Sequence, residues 1–219
     1  MIFFNIQLTG LLCIFAFNTI LNKANLSQEE IINESIDTLY YETGEIRAIL
    51  EMKDSLLHGK FFFENGKLLA SGAYKNGIIN LKCNFNKEVI PQKYRIGEWV
   101  FYYNNGQLRN QKSYTNGKRN GLVKEWYPNG QIMIEAIFEN GKYNGECYSW
   151  FENGNMMESS QFVMGIKDGE SKQYFENGIL KEKGNYSEGV KIGRWEYWDN
   201  QGRLRKTEDY LPNKNIPNK

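Results

Sequence analysis

Residues 121–144 read GLVKEWYPNGQIMIEAIFENGKYN, and Gly145 then starts the same pattern again. Two apolar-patterned stretches are each closed by Asn-Gly, at Asn129-Gly130 and at Asn140-Gly141. Asn-Gly between such stretches is the strongest short hairpin signal, because both residues accept the positive φ of a two-residue turn. Glycines carry this frame along the chain. Gly97, Gly121, Gly145, Gly169 and Gly193 lie 24 apart, and Gly106, Gly130, Gly154, Gly178 and Gly202 keep that step nine residues later. Gly117, Gly141, Gly165 and Gly189 form a third series, 11 residues beyond the second. Three series in one register define a tandem repeat.

The repeat extends upstream in weaker form. Tyr40-Tyr41-Glu42-Thr43-Gly44 resembles Phe62-Phe63-Glu64-Asn65-Gly66, and Gly66 and Gly77 keep the 11-residue spacing. The reading is seven units over 36–211: two irregular ones in 36–77, an insertion within 78–96 around Cys83 and Pro91, and five regular ones in 97–211. The fold class this predicts is all-β. It is an elongated, twisted antiparallel meander of tandem β-hairpins with a 24-residue period. Each unit then touches only its neighbours, so stability is close to a sum of neighbour terms.

A two-residue loop at Asn105-Gly106 fixes the pairing across the hairpin. Tyr103 then faces Leu108, and Tyr127, Phe151 and Phe175 face Ile132, Met156 and Leu180. The same register sets Tyr102, Trp126, Trp150, Tyr174 and Trp198 against Arg109, Met133, Met157, Lys181 and Arg205. An aromatic thus meets a cation or a thioether each time. It also sets the first-series glycines against Tyr114, Phe138, Phe162, Tyr186 and Tyr210, whose rings are expected to shield the bare strand backbone. Asp199 stands where the other units have an aromatic, which marks the last unit as a cap.

Composition narrows the function. Lys+Arg is 27 and Asp+Glu is 26, a net charge of +1, so nothing draws the chain to nucleic acid. One histidine, His58, and three cysteines, Cys13, Cys83 and Cys147, cannot supply a zinc site of the usual kind. No metal, cofactor or catalytic residue is expected. His58 precedes Gly59 and reads as a turn. Ser159, Ser160 and Cys147 lack an adjacent base, and Cys147 reads as a small buried hydrophobe. Glu146 and Glu170 recur once per unit, as solvated repeat positions do. The odd cysteine count argues against a disulfide framework and leaves one Cys83–Cys147 bridge open.

The ends read differently. Residues 8–17, LTGLLCIFAF, are too few to span a bilayer but suit the core of a signal peptide over 1–24, although no Lys or Arg precedes Lys23. Export to the envelope or outside is the expectation, with an uncleaved anchor or a cytoplasmic protein as the other readings. In 25–38, Ser27 and Glu30 can form a capping box, so 25–35 is read as a linker or short helix. The charged tail 212–219, with Pro212 and Pro217, should discourage strand pairing at that end.

Trp126-Tyr127-Pro128-Asn129-Gly130-Gln131-Ile132 and Phe138-Glu139-Asn140-Gly141 resemble the bacterial variant of the MORN repeat. The resemblance covers roughly 36–211 and is interrupted by the insertion. Proteins similar to this carry the label YwqK-type antitoxin, and related MORN repeats are protein- or lipid-binding scaffolds. The resemblance therefore implies a non-enzymatic scaffold for protein–protein contact, antitoxin- or immunity-like. An envelope module that binds membrane lipid or glycan is the alternative. The candidate strip is Tyr102, Trp126, Trp150, Tyr174 and Trp198, expected either to fill the concave core or to serve as a binding surface.

Overall fold

The structure, a computed structural model, describes residues 36–75 and 92–211. The expected signal segment, the Ser27–Glu30 capping box, most of the insertion with Cys83, and the tail lie outside the described residues. Residues 36–38, the end of the stretch that carries the capping box, are strand.

Among the described residues fourteen strands follow one another. The irregular part contributes β1 (Ile36–Tyr40), β2 (Ile46–Lys53), β3 (Leu56–Phe62) and β4 (Leu68–Tyr74). A short 3-10 turn, Gln92–Tyr94, precedes β5 (Arg95–Tyr102) and β6 (Leu108–Thr115). Then come β7 (Lys118–Trp126), β8 (Ile132–Glu139), β9 (Lys142–Trp150), β10 (Met156–Val163) and β11 (Ile166–Tyr174). The last are β12 (Leu180–Ser187), β13 (Val190–Trp198) and β14 (Leu204–Tyr210). They form one open sheet in sequence order, each strand antiparallel to the next. The all-β hairpin meander is therefore as expected. Two local expectations change. Arg95 and Ile96, assigned to the insertion, belong to β5, where Arg95 pairs with Tyr74. His58 lies mid-strand in β3 between Glu51 and Ala73, not in a turn.

The two kinds of turn differ from the sequence reading. At Asn116-Gly117 and Asn140-Gly141 the loop has two residues, all with positive φ. At Asn105-Gly106 and its equivalents the loop has three. The Gly130 amide donates to the Tyr127 carbonyl at 2.9 Å, and the Tyr127 amide donates to the Gln131 carbonyl at 2.8 Å. Gly130 has φ +89, while Asn129 keeps negative φ. This is a type I turn closed by a left-handed glycine. Pro128 occupies the turn position that favours its fixed φ.

The longer loop shifts the register beside it. Tyr102 pairs with Leu108, Trp126 with Ile132, Trp150 with Met156, Tyr174 with Leu180 and Trp198 with Leu204. Arg109, Met133, Met157, Lys181 and Arg205 become bulge residues, so the expected pairs Tyr103–Leu108 and Tyr102–Arg109, with their equivalents, do not form. Beyond the bulge the expected register returns: Gly97 pairs with Tyr114, Gly121 with Phe138, and Gly193 with Tyr210. The shielding expectation fails there, however. Gly121 has φ +102 and a Cβ on it would meet Ser113, not the Phe138 ring. These glycines serve a positive-φ strand irregularity.

Rings do cover glycines one row away. A Cβ on Gly72 would lie 2.2 Å from the Trp99 ring, and one on Gly184 would lie 2.2 Å from Trp195. Both tryptophans are fully buried. The equivalent pairs in the middle units shrink on the tryptophan side: Val123 meets Lys112, Cys147 meets Ala136, and Ser171 meets Ser160. Ser160 and Ser171 hydroxyls bond each other at 2.8 Å.

Candidate binding surface

Alternation along each strand gives the sheet two unlike faces. The inner face holds Trp99, Val123, Phe138 and Trp195, all buried. A ladder of aromatic and long side chains runs along it. Tyr74 pairs with Arg95, Tyr114 with Arg119, Phe138 with Tyr143, Phe162 with Lys167 and Tyr186 with Lys191. Arg119 sits 4.1 Å from the Phe138 ring centre, and the Lys191 ammonium sits 3.7 Å from that of Trp195. Cation–aromatic pairing thus runs between consecutive units, with Arg95, Arg119, Lys167 and Lys191 as its cations. Cation–aromatic contacts also lie beside the hairpin loop, where Arg109 sits 5.9 Å from the Tyr103 ring centre and Lys181 5.9 Å from that of Phe175, one residue away from the partners read in the sequence.

Tyr102, Trp126, Trp150, Tyr174 and Trp198 project to the opposite face. All five are half-buried, and none belongs to the buried core. Around them lie exposed polar pairs on the same face: Glu98 with Gln111, Glu146 with Tyr148, and Glu170 with Lys172. Lys124–Glu135 and Lys183–Glu196 are ion pairs there, at 2.8 and 2.9 Å. The Lys183 ammonium also lies 5.5 Å from the Trp198 ring centre. One unit departs from this pattern. Leu122 and Ile137 oppose each other on the outer face, each 44% exposed, where the other units carry Glu, Arg, Ser, Gln, Asn or Asp. These two residues share the outer face with Trp126, separated from it by the Lys124–Glu135 pair. Comparing the units position by position would have exposed them in the sequence.

The turn glycines Gly106, Gly130, Gly154, Gly178 and Gly202 all have positive φ. Their asparagine neighbours do more than turn the chain. Asn129 accepts the Gln131 amide at 2.9 Å and donates to the Glu152 carbonyl of the next unit at 3.0 Å. Asn105, Asn153 and Asn177 make the same two bonds. Tyr103 and Tyr127 add hydroxyl bonds to the Trp126 and Trp150 carbonyls, each at 2.8 Å. One edge of the sheet is thereby tied unit to unit. Asp199 replaces the ring in the last unit and accepts the Gln201 and Arg203 amides, closing its own turn as a cap should.

Cys147 carries a free thiol and is half-buried against Val123, Ala136 and Phe138. Burial, with a push from Glu158, raises its pKa to about 11, which opposes nucleophile chemistry at neutral pH. Glu146 and Glu170 are exposed. Among the described residues no cluster of His, Cys, Asp and Glu is arranged to hold a metal ion. Nor is any helix there long and apolar enough to cross a membrane.

Comparison with known families gives the repeat its identity. No curated protein matches the chain. The family model described as the MORN repeat variant matches residues 57–76, 95–116, 119–140, 143–164 and 167–188. These stretches are the successive hairpins from β3–β4 to β11–β12. Five successive hairpins of the chain thus match the MORN repeat variant.

Proposed function

We propose that the chain is a non-enzymatic scaffold that binds a protein partner on its outer face, in an antitoxin- or immunity-like role. MORN repeats in general belong to scaffolds that bind proteins or membranes. One observation carries the choice of surface. The inner face uses its aromatics for packing, while Tyr102, Trp126, Trp150, Tyr174 and Trp198 stay half-exposed on the other side, the face that also exposes Leu122 and Ile137. Half-exposed aromatics amid polar groups are the residue types that dominate interface energetics.

The test is binding by the Trp126→Ala/Trp150→Ala chain, with circular dichroism as the folding control. Loss of binding to the product of a neighbouring toxin-like gene, with the sheet intact, supports this reading. Unchanged binding overturns the choice of face. The second reading is an envelope module that meets lipid or glycan through the same strip, and it rests on the apolar Leu122–Ile137 pair. Sedimentation with anionic and neutral vesicles separates the two readings. Export of the chain belongs to the second reading more naturally. Secretion of the intact chain, lost on deletion of residues 1–24, would support it.

A further inference from the structure

Strand β14 closes the described sheet, and its outer edge has no neighbouring strand among the described residues. Residues 205–209 read RKTED: two cations, a threonine and two anions. Consider a second β14 laid antiparallel against this edge, with the two-fold axis at Thr207. Lys206 then faces Glu208 and Arg205 faces Asp209, each pair formed twice. Thr207 faces its own copy.

We propose that β14 is a self-complementary edge through which two copies of this chain join into one continuous sheet. Charges on an edge strand normally repel casual pairing. Here their order repels most strands and admits its own reverse. A one-residue slip sets Leu204 against Asp209 and Lys206 against Thr207. Parallel pairing in register sets each charge against its like. The opposite edge, β1, reads IDTLY and offers only Asp37 to four charges.

The surroundings limit the contact to this segment. Arg205 is a bulge residue, which ends the regular ladder on one side. On the other side the sequence continues from Leu211 into Pro212, a residue with no amide hydrogen to donate. Within one chain Lys206 already pairs with Glu208 at 2.7 Å, and Arg205 pairs with Asp199 at 2.7 Å. Across the axis Lys206 and Glu208 of the two copies would join into one four-charge cluster, and each Arg205 would lie between Asp199 and the Asp209 of the other copy. A two-fold contact closes on itself and stops at a dimer.

The experiment is sedimentation velocity of the full chain at rising concentration and at two salt levels. A reversible dimer that weakens with salt is expected. The R205D/K206E and E208K/D209R chains should each be monomeric, with circular dichroism showing that each keeps its sheet. Mixed in equal amounts they should dimerise again, because opposite charges then face each other at every pair. Should either double variant unfold, K206E and E208K carry the same mixing test. A wild-type chain that stays monomeric, a dimer that survives both double variants, or growth into open chains through β1 would each overturn the proposal.

Discussion

The Trp195 indole occupies the volume that a side chain on Gly184 would need, with 2.2 Å between a Cβ there and the ring. Gly184→Ala should therefore destabilise the C-terminal units by about 1–3 kcal/mol through overpacking. Trp195→Val, which copies Val123, should also cost stability but should relieve the clash. The two changes together should cost less than their sum. Amide exchange along β12 and β13 reads this coupling. Additive losses would show that the ring does not depend on the bare glycine.

Asn129 ties its own turn to the next unit by two hydrogen bonds. Asn129→Ala should cost about 1–2 kcal/mol locally, at roughly 1 kcal/mol per bond. Asn129→Asp keeps the acceptor but loses the donor, so it should fall between. Exchange of the Gln131 amide should speed up in both alanine and aspartate chains, and more in the alanine chain.

Met164 and Glu188 hold φ values of 49 and 50, where the equivalent turns have Asn116 and Asn140. A left-handed conformation is strained for an ordinary side chain, while asparagine tolerates it. Met164→Asn should stabilise the third regular unit by roughly 1 kcal/mol. A urea midpoint that does not rise would contradict the strain argument.

Asp199 has its carboxyl pKa pulled down to about 2, first by the Arg203 amide and then by its side chain and the Gln201 amide. A lowered folded pKa means the stabilisation is complete above the ordinary value of 3.8. It is lost as pH falls from there through about 2. The last hairpin should therefore loosen in that acid window before the middle units do. Carboxyl titration by NMR and amide exchange at Gln201 and Arg203 check both statements. Asp199→Asn should remove the pH dependence of that turn.

The strands were legible because glycine spacing and alternation are local properties. Even the Gly97–Tyr114 register could be read from them. The loop type was not. Asn-Gly suits both the two-residue and the three-residue loop, and only Pro128 hinted at the second. That one-residue difference moved every contact beside the loop, and with it the partners of the candidate strip. Leu122 and Ile137 were missed for another reason: an apolar residue in a strand pattern reads as core unless the same position is compared across the units.

The sequence by itself determined the repeat and the sites of its Asn-Gly turns, because these depend on backbone preferences of a few residues. Tertiary structure alone decided which face is packed. Trp99 and Trp126 look alike in the sequence, yet one is buried over Gly72 and the other is half-exposed on the far side. Strand alternation sorts residues into two sets but does not say which set faces inward. Fit between neighbouring strands decides that: a large ring needs a bare glycine beside it, and Gly72 and Gly184 stand on the inner face only.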